Sequence, residues 1–291
     1  MIMTNKNFKS YLAGLIEGDG SFIAPKTPRD SKGRLRYAKI KVAFHVNDKP
    51  LFELLQNHLG GVFEYKPNYG VWIINKNKDL KHICNLINGY LRTPKVNDFY
   101  KLVDYLNFKK KNVSIKKLKL DSSSIDSNAW LAGFTDADGN FNLNISNRKT
   151  GLKKKRVQIQ FRLEIKRFYS KKDDLPKNIN NEYFDFFPIC DQIACFIGAV
   201  IYVRSRPTKN YGLIICCANI NSRTKCLEYF DKFPLFSSKY LNFLDWKTIH
   251  KLQLEKRHLT SEGIKICETI QRRFNNNRKT FCWNHLKNFY I

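Results

Sequence analysis

The chain has 291 residues, of which 43% are hydrophobic and 22 are Phe, enough apolar material for a packed core in two modest domains or one large one. Its 52 Lys and Arg face 25 Asp and Glu, a net charge of +27 that would repel itself without a polyanion nearby. Nucleic acid is the expected partner, ahead of an acidic membrane surface, because each neutralised phosphate releases counterions. No apolar run reaches the roughly 18 residues that span a bilayer. The opening MIMTNKNFKS has neither a signal-peptide core nor an Arg-rich transit pattern, so the protein is expected to work where it is made. The 8 Cys form no C-x-x-C pair and have no nearby His pair, so they read as buried thiols in a reducing compartment. Nucleophile-elbow, P-loop and Rossmann patterns are absent, which disfavours metal-free nucleophilic hydrolysis and nucleotide binding.

In chain order, the first motif is YLAGLIEGDGSF, residues 11–22. Leu12, Leu15 and Ile16 at i, i+3 and i+4 give a short helix one apolar stripe. YAKIKVAFHV (37–46) alternates, placing Ile40, Val42, Phe44 and Val46 on one face of a strand and Lys39, Lys41 and His45 on the other. LFELLQNHLGG (51–61) has helical spacing and closes on Gly. A short strand and NYGVWIINK (68–76) follow, with Tyr-Gly expected at the tip of the hairpin. YLRTPKVNDFYKLVDYL (90–106) ends the segment, and 108–127 reads as a basic, Ser-rich tether.

The same order then repeats. WLAGFTDADGNF (130–141) lies 119 residues after the first motif and is followed by the strand RVQIQFRLEI (156–165), the helix ICDQIACFIGA (189–199) and the strand NYGLIICCAN (210–219). FPLFSSKYLNFLDW (233–246) answers 90–106 and aligns Lys95 with Lys239. A polar stretch at 168–188, present only in the second copy, explains why the offset grows. The reading is an α+β protein of two quasi-symmetric αββαββα copies, 1–107 and 128–291, joined by 108–127, with helices covering one face of antiparallel strands. On the open face the second copy offers Asn140, Asn142, Asn144, Ser146, Gln158, Gln160 and Arg162, with Arg204 and Arg206 further on. With Lys39, Lys41 and His45 these become candidate DNA-binding residues, since Arg, Asn and Gln pair bidentately with guanine and adenine edges and a β-ribbon fits the major groove.

The motif itself carries the chemistry. Gly14 and Gly18, like Gly133 and Ala137, sit four apart, a spacing that lets two helix backbones approach closely. If the two copies pack these faces together, Asp19 and Asp138 stand side by side, and adjacent carboxylates repel unless they share a proton or bind cations. A divalent cation with oxygen ligands would activate water and stabilise a leaving oxygen. Glu17 and Asp136, the earlier acids, are assigned to structure.

These paired phrases resemble the signature of LAGLIDADG homing endonucleases in their single-chain, two-motif form. The segment 244–266 is similar to the closing helices of intron-encoded members. The resemblance implies a saddle of antiparallel sheets over DNA and a double-strand break across the minor groove that leaves short 3′ overhangs. It implies Asp19 and Asp138 as ligands of two or three Mg²⁺ ions, with Ca²⁺ or Mn²⁺ as substitutes, and Gly18 and Ala137 beside them. Lys95 and Lys239 match a catalytic basic position, and Asp48, Lys166 and Arg167 lie near a position that orders water. The target would be a long, asymmetric duplex, the protein a monomer, and the setting an intron-encoded gene of a mitochondrion or, second, a chloroplast. A maturase acting on its host intron RNA, or a DNA-binding relative that does not cut, are the alternatives.

Overall fold

The computed structural model describes residues 5–109, 114–147, 155–169, 185–205 and 211–290. The first motif forms α1 (Lys6–Asp19), capped where the Asn5 side chain accepts from the Asn7 amide at 2.8 Å. β1 (Gly20–Ile23) follows without a loop, then β2 (Lys39–His45), α2 (Lys49–Leu59), β3 (Val62–Tyr65), β4 (Tyr69–Ile74), α3 (Asn77–Ile87) and α4 (Val96–Lys109). The strands make an antiparallel sheet of order β1-β2-β4-β3. As the alternation requires, Ile40, Val42 and Phe44 are buried while Lys39, Lys41 and His45 occupy the other face. Val46 instead lies in a 3₁₀ turn (Val46–Asp48) that starts where the His45 ring nitrogen accepts from the Asn47 amide.

The second copy repeats the plan with α5 (Trp130–Asp138), β5 (Gly139–Asn147), β6 (Lys155–Lys166), α6 (Phe187–Ile197), β7 (Val200–Ser205), β8 (Tyr211–Cys217), α7 (Ile220–Lys232), α8 (Lys239–Leu254) and α9 (Ser261–Arg272). Its sheet has the matching order β5-β6-β8-β7. The αββαββα order thus appears twice, with further helices closing each copy. Both first helices bury most of their residues, and both α2 and α6 end on a glycine with positive φ, Gly60 and Gly198.

Two details differ from the sequence reading. Tyr69 and Gly70 are the first residues of β4 rather than the hairpin tip: the turn is closed by the Lys66 amide donating to Tyr69 O, and a Cβ on Gly70 would meet the Phe44 ring at 2.4 Å. Within 108–127, residues 114–127 are strapped down rather than loose. Asn88 and Asn107 each bond the backbone of 115–118 with both ends of their amides, the Tyr100 hydroxyl donates to Leu118 O, and Arg92 pairs with Asp121 at 2.8 Å.

By contacts the chain forms two compact units, Met1–Asp138 with Lys166–Ile189 and Tyr290–Ile291, and Gly139–Ile165 with Cys190–Phe289. The first unit therefore contains both motif helices. The core of the second is an aromatic cluster in which Phe141 packs against Phe161, Phe230, Phe243 and Trp246 at ring separations of 5.3 to 5.8 Å.

Candidate functional site

In the first unit, α1 and α5 meet backbone to backbone. A Cβ on Gly14 would lie 2.0 Å from Trp130 O, and one on Gly133 would lie 1.9 Å from Tyr11 O. Real Cβ contacts do not fall below about 3.0 Å, so neither position admits any side chain unless the helices separate. One turn on, Gly18 faces Ala137, where an added Cβ would meet the Ala137 Cβ at 2.2 Å. The four small positions singled out in the sequence form one continuous seam.

The seam is flanked by a reciprocal pair of hydrogen bonds. Tyr11 Oη donates to Asp136 at 2.6 Å, and Trp130 Nε1 donates to Glu17 at 2.7 Å. Tyr11 corresponds to Trp130 and Glu17 to Asp136 at the 119-residue offset, so each copy supplies a donor to the other copy's earlier acid. Glu17 also accepts from the amides of Arg92 and Thr93 and from the Thr93 hydroxyl at 2.6 Å. Burial pushes its carboxyl above the usual value, and the four donors oppose that shift. Burial and Asp136 together push the Tyr11 hydroxyl well up, so it stays a donor. Both earlier acids are buried, Glu17 at 1% and Asp136 at 5% exposure, and both are structural hydrogen-bond acceptors.

Asp19 and Asp138 are the last residues of α1 and α5, and both are exposed. Asp138 reaches the end of α1, where its Oδ2 lies 3.6 Å from the point where a Cβ on Gly18 would stand, and the charges of Asp138 and Asp19 both act on Lys95. Two helix C-termini, each the negative end of a dipole, and two carboxylates thus gather in one place, an arrangement that favours a cation. A cation is present beside them in Lys95, whose Nζ donates to Gly18 O at 2.6 Å and to Gly20 O at 2.8 Å. Burial lowers its pKa, while Asp138, Glu17 and Asp19 hold it up, in that order. Among the described residues no cluster of three His, Cys, Asp or Glu could hold a metal. The oxygen donors this place could offer a cation are the two carboxylates and backbone carbonyls. That suits a hard oxygen-seeking ion which completes its shell with phosphate and water, as Mg²⁺ does.

Lys239 begins α8, with its amide donating to Ser237 Oγ at 3.2 Å. Asp48 is buried at the start of α2, Lys166 is exposed at the end of β6, and Arg167 pairs with Asp185 at 3.1 Å. On the open face of the second sheet the candidates fall in rows: Asn140 opposite Arg162, Asn142 opposite Gln160, Asn144 opposite Gln158, and Ser146 opposite Arg156. Arg204 is exposed on β7, and Arg206 lies outside the described residues. Arg156 was missed, although the same alternation that selected Gln158 and Gln160 extends to it. The sequence reading also passed over the exposed apolar side chains of the sheets, Val62, Tyr65 and Tyr69 in the first and Val200, Tyr202 and Val203 in the second. Strand patterning marks such residues only as hydrophobic. The Arg92–Thr93 support of Glu17 had no signal, because it joins positions 75 and 76 residues apart.

A duplicated α+β fold whose two motif helices pack glycine to glycine and end in exposed acids defines a narrow class. The family model described as LAGLIDADG endonuclease matches residues 12–111 and 131–250. The chain is 36% identical over 308 residues to the intron-encoded DNA endonuclease aI3 of Saccharomyces cerevisiae, covering 97% of this chain and 72% of that protein. It is 30% identical over 268 residues to the uncharacterized cox1 intron-2 37.2 kDa protein of Schizosaccharomyces pombe, covering 89% and 70% respectively. A solved structure described as I-SmaMI bound to uncleaved DNA target in the presence of calcium ions shares the fold at TM-score 0.67 and 18% identity, over 91% of this chain and 98% of that one. This chain belongs to the LAGLIDADG endonuclease family.

Proposed function

We propose that the protein is a site-specific DNA endonuclease that makes a double-strand break in a long asymmetric target by metal-dependent phosphodiester hydrolysis, promoting the homing of its intron. The observation that carries this reading is the pair of exposed carboxylates, Asp19 and Asp138, at the tip of a glycine-packed helix pair with Lys95 beside them. Duplication supplies one acid per copy, which suits a substrate with two strands to cut. Asp19 and Asp138 would hold Mg²⁺, with the carbonyls of Gly18 and Ala137 beside it. A divalent metal there supplies a Lewis acid and an activated water. Lys95, and Lys239 from the second copy, would compensate charge on the scissile phosphates. Lys39, Lys41, His45 and the Asn, Gln and Arg rows of the second sheet would track and read the duplex, with the net charge of +27 supplying salt-dependent affinity. Two motifs in one chain make a monomer sufficient, and the intron-encoded relatives favour a mitochondrial setting.

The test is cleavage of a plasmid carrying the intronless host site in Mg²⁺, with Asp19→Asn and Asp138→Asn as controls. Linear product from the native protein, and lost cutting with retained binding in both variants, is expected. Improved splicing of the host intron with no cut would move the protein to the maturase reading. An unchanged rate in Asp19→Asn would show that the acid is misassigned.

A further inference from the structure

The open face of the second sheet holds one built charge cluster. Glu164, on β6, accepts from Arg162 Nη2 at 2.6 Å and from Arg204 Nη1 at 3.3 Å. Arg162 is its neighbour two residues back on the same face, but Arg204 belongs to β7, and β8 lies between the two strands. With strands about 4.8 Å apart, that contact must reach across a whole strand. It can do so because β8 carries Gly212 at the crossing, opposite Arg204 in the β7–β8 register. A Cβ there would already stand 3.7 Å from the Glu164 carboxylate and 3.8 Å from the Arg204 Cβ, so anything larger than Ala would fill the path of the contact.

We propose that Glu164 is a positioning residue that aims Arg162 and Arg204 at guanine, making this cluster the main base-reading element of the second half of the interface. The proposal rests on the DNA-binding reading above. A lone arginine on such a surface serves equally as a phosphate contact. A carboxylate between two guanidiniums changes the balance, because a phosphate brought to either of them also meets the negative charge of Glu164. The neutral O6/N7 edge of guanine meets no such repulsion and accepts the guanidinium fork bidentately. Convergence on one carboxylate keeps the two guanidiniums within a few ångströms of each other. Since successive bases rise about 3.4 Å along a strand, the two readers address base pairs one or two steps apart. Among the described residues, the strands of the first sheet hold no such cluster: β1 to β4 contain no arginine and the open face pairs Lys41 with Ile73 and Ala43 with Val71, while arginines of the first half lie in the β1–β2 connection, where Arg34 pairs with Asp30 at 2.8 Å. The strands of the two sheets therefore differ in their readers, with a carboxylate-held arginine pair on the second and lysines on the first.

Selection from a randomised duplex library, with the native protein and with Arg162→Ala, Arg204→Ala and Glu164→Gln, tests this. The native protein should enrich two guanines, on either strand, one or two steps apart in one half of the site. Each arginine variant should lose one of them, with discrimination falling about tenfold at that position. Glu164→Gln should relax both together while its melting temperature and its affinity for unrelated duplex do not fall, a pattern that a merely structural role would not give. If the arginine variants weaken binding uniformly across sequences with a shallower salt dependence, the arginines hold phosphates and the proposal is wrong. An unchanged preference in Glu164→Gln also overturns it. If the native protein enriches no sequence, the DNA-reading function fails, and this inference fails with it.

Discussion

Substituting Gly133 by Ala is the sharpest probe of how the paired acids are held. The added Cβ would stand 1.9 Å from Tyr11 O and 2.9 Å from the Leu15 amide nitrogen, both rigid backbone atoms of the facing helix. Restoring a contact of about 3 Å requires α1 and α5 to move apart locally by about 1 Å. Overpacking of that kind costs about 1–3 kcal/mol. The shift also stretches the flanking bonds from Tyr11 to Asp136 and from Trp130 to Glu17, each buried and ending on a carboxylate, which adds about 1–3 kcal/mol if one is lost. A total of about 2–6 kcal/mol is expected in urea unfolding when one bond is lost, seen as a lower midpoint at similar slope. Where the variant still folds, a misplacement of about 1 Å at the acids predicts a drop in cleavage rate on the order of 100-fold. Gly14→Ala should behave alike, because its Cβ would meet Trp130 O at 2.0 Å. Gly212→Ala is the control for stability: its Cβ has ordinary contacts of 3.7 Å or more, and its stability should change by less than about 1 kcal/mol. A Gly133→Ala protein with native stability and native cutting rate would refute the seam as the element that positions Asp19 and Asp138.

Three further outcomes follow from the same geometry. Trp130→Phe keeps the ring stacked on Phe134 but removes the donor to Glu17, and Tyr11→Phe does the reciprocal for Asp136, so each should lose about 1.5–3 kcal/mol in denaturant titration. A loss near zero in either would mean that its acid finds another donor. Lys95 has a pKa lowered by burial, so its folded value lies below the unfolded one. Its charge then costs stability at neutral pH, and stability should rise as pH passes upward through the folded value toward the ordinary lysine range. Lys95→Met should remove that rise from a series of unfolding midpoints, and identical pH profiles would contradict it. Under native conditions a thiol reagent should modify Cys195 and Cys282 rapidly, since both are exposed, and should leave Cys84, whose thiol burial pushes up to about 12, intact in peptide mass analysis.

The sequence by itself determined the duplication, the alternation of the strands and the places of the paired motif acids, because each of these is a local pattern. A strand's faces follow from a period of two, and a helix seam follows from small residues four apart. It assigned Glu17 and Asp136 to structure, and both are buried in the fold, while the later acid in each motif is the exposed last residue of its helix. Tertiary structure decided what local patterns do not encode. Glu17 is held by Arg92, Thr93 and Trp130, from 75 to 113 residues away, and Arg92 is itself fixed by Asp121 and Ser123 of the segment read as a tether. Lys95 donates to the carbonyls of Gly18 and Gly20, a pair of bonds that depends on how α4 is seated against β1. The grouping of Glu164 with Arg204 needed both the strand order and the missing side chain at Gly212. In each case the partner lies far along the chain, and only packing brings a donor within the roughly 3 Å at which a hydrogen bond forms.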